Sequence, residues 1–95
     1  FFKITFNVKE DGIETHWYKN GQKKEEGNYK DGKEDGLLTV WYENGKKSYE
    51  GNYKDGELDG FFTGWYENGQ KEFEETYKDG EIISQKFWNK DGSVE

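Results

Sequence analysis

The 95 residues include no cysteine, proline, methionine, alanine or arginine. Without cysteine there is neither a disulfide framework nor a thiolate metal site, and the redox compartment stays open. With all fourteen cations lysine and a formal charge of −7, the chain lacks the basic footprint and the guanidinium forks that nucleic acids demand. The same charge disfavours an anionic membrane surface and favours a protein partner with a basic patch. No apolar run approaches transmembrane length. Only three Leu, three Val and four Ile are present, too few for a helical bundle. The sequence opens on Phe1 rather than methionine, so removal of an N-terminal segment is expected, and nothing indicates a compartment.

What is present is aromatic. Rings make up 19% of the chain and about two thirds of its 29% apolar material, so strands are favoured and burial must come from large flat side chains. Eighteen such residues in regular positions argue against disorder despite 37% charged residues. The regularity is a repeat. "YKDGKEDGLLTVWYENG" from Tyr29 to Gly45 returns 24 residues later as "YKDGELDGFFTGWYENG" from Tyr53 to Gly69. Trp17, Trp41, Trp65 and Trp88 are spaced 24, 24 and 23 apart. Self-similarity at a fixed period of this size marks a repeat architecture. One domain over 1–95 is expected: 1–12 a cap strand or truncated repeat, 13–36, 37–60 and 61–84 the units, 85–95 a partial unit.

Within a unit, "WYENG" between alternating segments signals a hairpin, and a three-residue loop Glu43, Asn44, Gly45 fits a type I turn closed by a glycine bulge. That register sets Trp41 opposite Lys47, Thr39 opposite Tyr49 and Leu37 opposite Gly51. It predicts one ring stripe of Leu37, Thr39, Trp41, Tyr49 and Tyr53, repeated as Phe61, Thr63, Trp65, Phe73 and Tyr77. The other connection, "DGKEDG" at Asp31 to Gly36 or "DGELDG" at Asp55 to Gly60, reads as a longer acidic reversal. "FFKITFNV" alternates Phe2, Ile4, Phe6 and Val8 as a strand, and "EIISQKFW" reads as a terminal cap. The predicted fold class is all-β: tandem antiparallel hairpins forming an elongated, twisted single-sheet meander.

Catalytic signals are weak. His16 is the only histidine, and with no cysteine, second histidine or triad companion it reads as a surface residue. Asp31, Asp35 and Gly36, like Asp55, Glu57, Asp59 and Gly60, invite comparison with a calcium loop. The twelfth place, however, is Tyr42 or Tyr66 where a bidentate Glu belongs. No cofactor, no metal and no enzymatic activity is expected. The ring stripe reads as mainly structural. Contacts are expected on the opposite surface, where Tyr18, Leu38, Val40, Tyr42, Phe62 and Tyr66 mix with carboxylates.

The pattern "NGxxxxEgxYKDGxxDGxxxxWYxNG" resembles the bacterial variant of the MORN (membrane occupation and recognition nexus) repeat across roughly Gly12 to Gly80. The resemblance implies an all-β hairpin array acting as a scaffold or protein-binding surface, and several bacterial relatives are antitoxin or immunity components. Plant phosphatidylinositol phosphate kinases also carry such repeats, but this chain has no kinase signature, so no kinase activity is implied. The alternative function is a cell-surface carbohydrate- or choline-binding module, in which rings of adjacent hairpins cage a quaternary ammonium or stack on sugar.

Overall fold

The computed structural model describes residues 2–5 and 11–95. Phe6 and Val8 of the expected first strand lie outside them. Among the described residues are eight strands: β1 Phe2–Thr5, β2 Gly12–Trp17, β3 Lys23–Lys30, β4 Lys33–Trp41, β5 Lys47–Lys54, β6 Glu57–Trp65, β7 Lys71–Lys78 and β8 Glu81–Phe87. They form one antiparallel sheet in sequence order, β1 to β8, the predicted meander. Its Cα extents of 42 × 36 × 11 Å are those of a single layer.

Both kinds of turn follow from local chemistry. At the tryptophan end, Tyr42 N–H donates to Lys46 O at 2.8 Å and Gly45 N–H to Tyr42 O at 3.0 Å, with Gly45 at φ +87°. This is the expected type I turn with its glycine bulge. Asn44 Oδ1 accepts from Lys46 N–H at 2.9 Å, and Asn20, Asn68 and Asp91 do the same in their own turns. The other connection is shorter than expected. Lys30 pairs with Lys33, leaving a two-residue turn of Asp31 and Gly32, both at positive φ, as a type I′ turn requires. Lys33 to Gly36, expected to belong to the reversal, are strand, and the second Asp-Gly forms a bulge within β4 and β6 where the register shifts.

The predicted register holds at the turn and fails two residues later. Trp41 pairs with Lys47, but Val40 pairs with Tyr49, so Ser48 is one residue in excess, as are Lys24 and Glu72 in their hairpins. Thr39 therefore meets Glu50 and Leu38 meets Gly51, instead of Thr39 meeting Tyr49 and Leu37 meeting Gly51. Because strand side chains alternate, one extra residue moves everything beyond it to the other side. Trp41 and Tyr49 lie on opposite faces, and so do Trp65 and Phe73. The single expected stripe is two stripes.

Each face is chemically coherent as a result. On the tryptophan face the buried hydroxyls of Thr15 and Thr39 donate to Glu26 and Glu50 at 3.0 and 2.9 Å. Lys23, Lys47 and Lys71 hold Glu26, Glu50 and Glu74 at 2.7–3.1 Å and lie over the rings of Trp41, Trp65 and Trp88 in the next unit. On the other, ring face, Phe62 packs against Tyr49, Phe73 and Tyr77 with centroids 5.5, 5.3 and 6.4 Å away. Leu38 is the one buried apolar side chain among the described residues. Phe62 lies so close over Gly51 that an added Cβ would sit 2.6 Å from its ring. Small residues thus let rings lie flat on the backbone, which substitutes for a second layer.

Candidate functional site

The six residues expected to make contacts fall into two groups. Leu38, Val40 and Phe62 belong to the ring face, with Leu38 buried and Phe62 inside the ring cluster. Tyr18, Tyr42 and Tyr66 run along the tryptophan-end turns instead. Their hydroxyls donate to the carbonyls of Trp41, Trp65 and Trp88 at 2.7, 2.6 and 2.8 Å, each reaching the next unit. Asn20, Asn44 and Asn68 reach the following turn in the same way. Tyr42 and Tyr66 do meet, lining a hollow of about 370 Å³ with Glu67, Asn68 and Lys90. A second hollow, of about 300 Å³, is lined by Lys46, Lys47, Trp65 and Gly69. Asp35 and Asp59 stand in strands, so the acidic stretches form no loop that could encircle calcium.

A different set of residues distinguishes one part of the ring face from the rest. At four positions where later units carry apolar or small residues, the first unit carries ionisable ones. Glu14 stands where the others have Leu38 and Phe62, and His16 where they have Val40 and Gly64. Glu25 stands for Tyr49 and Phe73, and Glu34 for Leu58 and Ile82. Strand pairing gathers the four: His16 lies opposite Glu25, Glu14 opposite Gly27, and Glu34 opposite Tyr29. Lys3 occupies the position on β1 that faces His16.

His16 Nε2 and Glu14 Oε1 are 2.7 Å apart. Burial, and then the charge of Glu25, raise the Glu34 carboxyl above the ordinary carboxylate range. Burial likewise raises the Tyr29, Tyr49 and Tyr53 hydroxyls, with Glu34 and Glu25 adding to the effect on all three. The corner is therefore three carboxylates among three tyrosine rings. Reasoning from one unit at a time missed it, although aligning the units within the sequence exposes the four departures. His16, read as a plain surface residue, has a side chain only 16% exposed and engaged with Glu14.

No curated relative and no solved structure matches the chain. A family model described as the MORN repeat variant matches residues 10–31, 34–55 and 58–79, three segments in the 24-residue phase of the sheet's own units. Repeats of this kind are non-catalytic and are associated with binding to proteins and membranes. With well over half its length matched, the chain belongs to the MORN repeat variant family.

Proposed function

We propose that this protein is a non-enzymatic protein-interaction module that neutralises a partner in the manner of a bacterial antitoxin, by covering a basic patch on it. One observation carries the reading: among the described residues no second layer covers the ring face of this single-layer sheet, and the face combines half-exposed rings with carboxylates. Exposed rings on a rigid sheet bring contact area at small entropic cost, and the negative field speeds encounter with a cationic partner. Occlusion needs no catalytic group. The test is co-expression with the product of the adjacent gene. Growth should be rescued, and the isolated pair should weaken as salt rises; a pair insensitive to salt, or no rescue, overturns this mechanism.

The carbohydrate- or choline-binding alternative draws on the hollow beside Trp65. It has less support, because the ammonium of Lys47 lies 5.8 Å from the Trp65 ring centre, where a quaternary ammonium would need to sit. Tryptophan fluorescence during choline and glucan titration separates the two: quenching at millimolar ligand would favour the alternative.

A further inference from the structure

We propose that the first-unit corner of the ring face, Glu14, Glu25 and Glu34 among Tyr29, Tyr49 and Tyr53, is the docking surface for an arginine- or lysine-bearing segment of the partner protein. This rests on the reading of the chain as a protein-interaction module and gives that module a specific contact chemistry.

The repeat supplies an internal control. Units two and three show what the fold needs at these register positions, namely Leu38 and Phe62, Tyr49 and Phe73, Leu58 and Ile82. Strand pairing makes these positions neighbours in every unit, and in the first unit alone all three are glutamate. A solvated face does not explain the pattern, since the same sheet shows how it treats structural carboxylates. Glu26, Glu50 and Glu74 on the opposite face each have their own lysine, and Glu75 on the ring face accepts from Tyr77 and Gln85. Glu14 has His16, whereas among residues 11–95 no ion pair joins Glu25 or Glu34 to a cation. Placing carboxylates together among rings opposes folding through burial first and like charge second, the two causes that raise the Glu34 carboxyl.

The occupant follows from charge and shape. A cation of the partner would remove the repulsion among the carboxylates and rest against tyrosine faces, two attractions that strengthen as water is excluded. Guanidinium fits better than ammonium, because its planar fork engages a carboxylate in two bonds while its face stacks on a ring. The rest of the ring face, from Phe62 to Phe73 and Tyr77, continues the surface as an apolar floor for the segment's other side chains.

The test uses three short synthetic peptides in which glycine alternates with arginine, lysine or glutamate, titrated calorimetrically into the whole chain. The arginine peptide should bind most tightly, the lysine peptide less so, and the glutamate peptide not at all. The triple variant Glu14→Leu, Glu25→Tyr, Glu34→Leu restores the repeat's own residues. It should bind the arginine peptide at least about tenfold more weakly while melting about 4 °C or more higher, a gain in stability that an ordinary structural role would not give. A charge-matched triple at exposed positions, Glu43→Gln, Glu67→Gln, Glu81→Gln, should bind as the wild type does. Equal loss in both triples, or no loss in the first, overturns the proposal. So does a triple variant that still rescues growth against the adjacent gene's product, and that result leaves the module reading standing. Failure of the wild-type chain to rescue growth counts against the module reading instead, since peptide binding is read without the partner.

Discussion

At the scale of single residues, this sheet depends on close approach more than on a buried core. Gly51 illustrates it: an added Cβ would meet Phe62 at 2.6 Å, Leu58 at 3.3 Å and the Phe61 carbonyl at 3.5 Å. Gly51→Ala must therefore tilt the Phe62 ring out of its cluster, and should cost about 1–3 kcal/mol in urea unfolding. Adding Phe62→Leu to that variant should recover part of the loss: at Gly27 an added Cβ would meet Leu38 Cδ1 at 2.8 Å, but that is the tip of a flexible side chain that can turn aside where a ring cannot. Thr39→Val keeps the shape of a buried side chain but removes the hydroxyl that donates to Glu50. With Lys47 still holding that carboxylate, the expected cost is about 1–2 kcal/mol by the same measurement. The tyrosines of the ring face set the alkaline limit. Tyr29, Tyr49 and Tyr53 all have raised values, chiefly through burial, so the folded state holds their protons more tightly than the unfolded chain does. Their contribution is complete below the ordinary tyrosine value of about 10 and is lost as pH rises through the raised values. Tyrosinate absorbance at high pH should rise together with loss of the sheet signal. Ionisation of all seven tyrosines with the sheet intact would refute this.

At the scale of elements, the hairpin turn joins units as well as reversing the chain. Tyr42 O–H and Asn44 N–H each cross to the next unit's backbone, at Trp65 O and Glu67 O. Tyr42→Phe keeps the ring and removes one such bond, with an expected cost of about 0.5–1.5 kcal/mol, and Tyr66→Phe should cost about the same. Because Tyr42 bonds the carbonyl next to Tyr66 and the two rings line one hollow, the double variant should depart from additivity, and a double-mutant cycle measures by how much. The final turn differs: Asn89 and Asp91 stand where the tyrosine and asparagine stood, so neither inter-unit donor is repeated there. Much of this element was readable in advance. The period follows from the tryptophan spacing, and the glycine at positive φ and the three-residue loop follow from "WYENG". The excess residue at Ser48 was not read, because the residues flanking a bulge are chosen by partners on the neighbouring strand. A clue lay in the mixed second face: pairing Thr39 with Tyr49 leaves Leu38 beside Glu50, and one inserted residue sorts both faces. The two-residue Asp-Gly turn was missed because two Asp-Gly pairs compete, and only strand pairing shows that Asp31-Gly32 turns while Asp35-Gly36 bulges. The site was less legible than the fold, since its signal is a departure from the repeat rather than a motif.

At the scale of the whole molecule, the substantial packing is between consecutive strands, so stability is close to a sum of neighbour terms along one axis. Pairing confined to neighbours in this way predicts opening from the edges inward. The edges are not equivalent. Every residue of β8 is exposed, including Ile82, Ile83 and Phe87, and outside it only a short return holds, with Trp88 bridged to Val94 and Glu95 N–H donating to Phe87 O at 3.0 Å. At the centre, β4 to β6 contain Leu38, the small residue Gly51 and the Phe62 cluster, and they have paired strands on both sides. Amide hydrogen exchange should therefore show protection highest in β4 to β6, falling through β7 to its lowest in β8. Uniform protection across all strands would mean that the sheet opens as one unit, and the neighbour-by-neighbour account would fail. The restored variant Glu14→Leu, Glu25→Tyr, Glu34→Leu sharpens the expectation. Removing mutual repulsion at the β2–β4 end should raise protection there and leave β8 unchanged, because in a one-dimensional array a local gain does not reach the far edge.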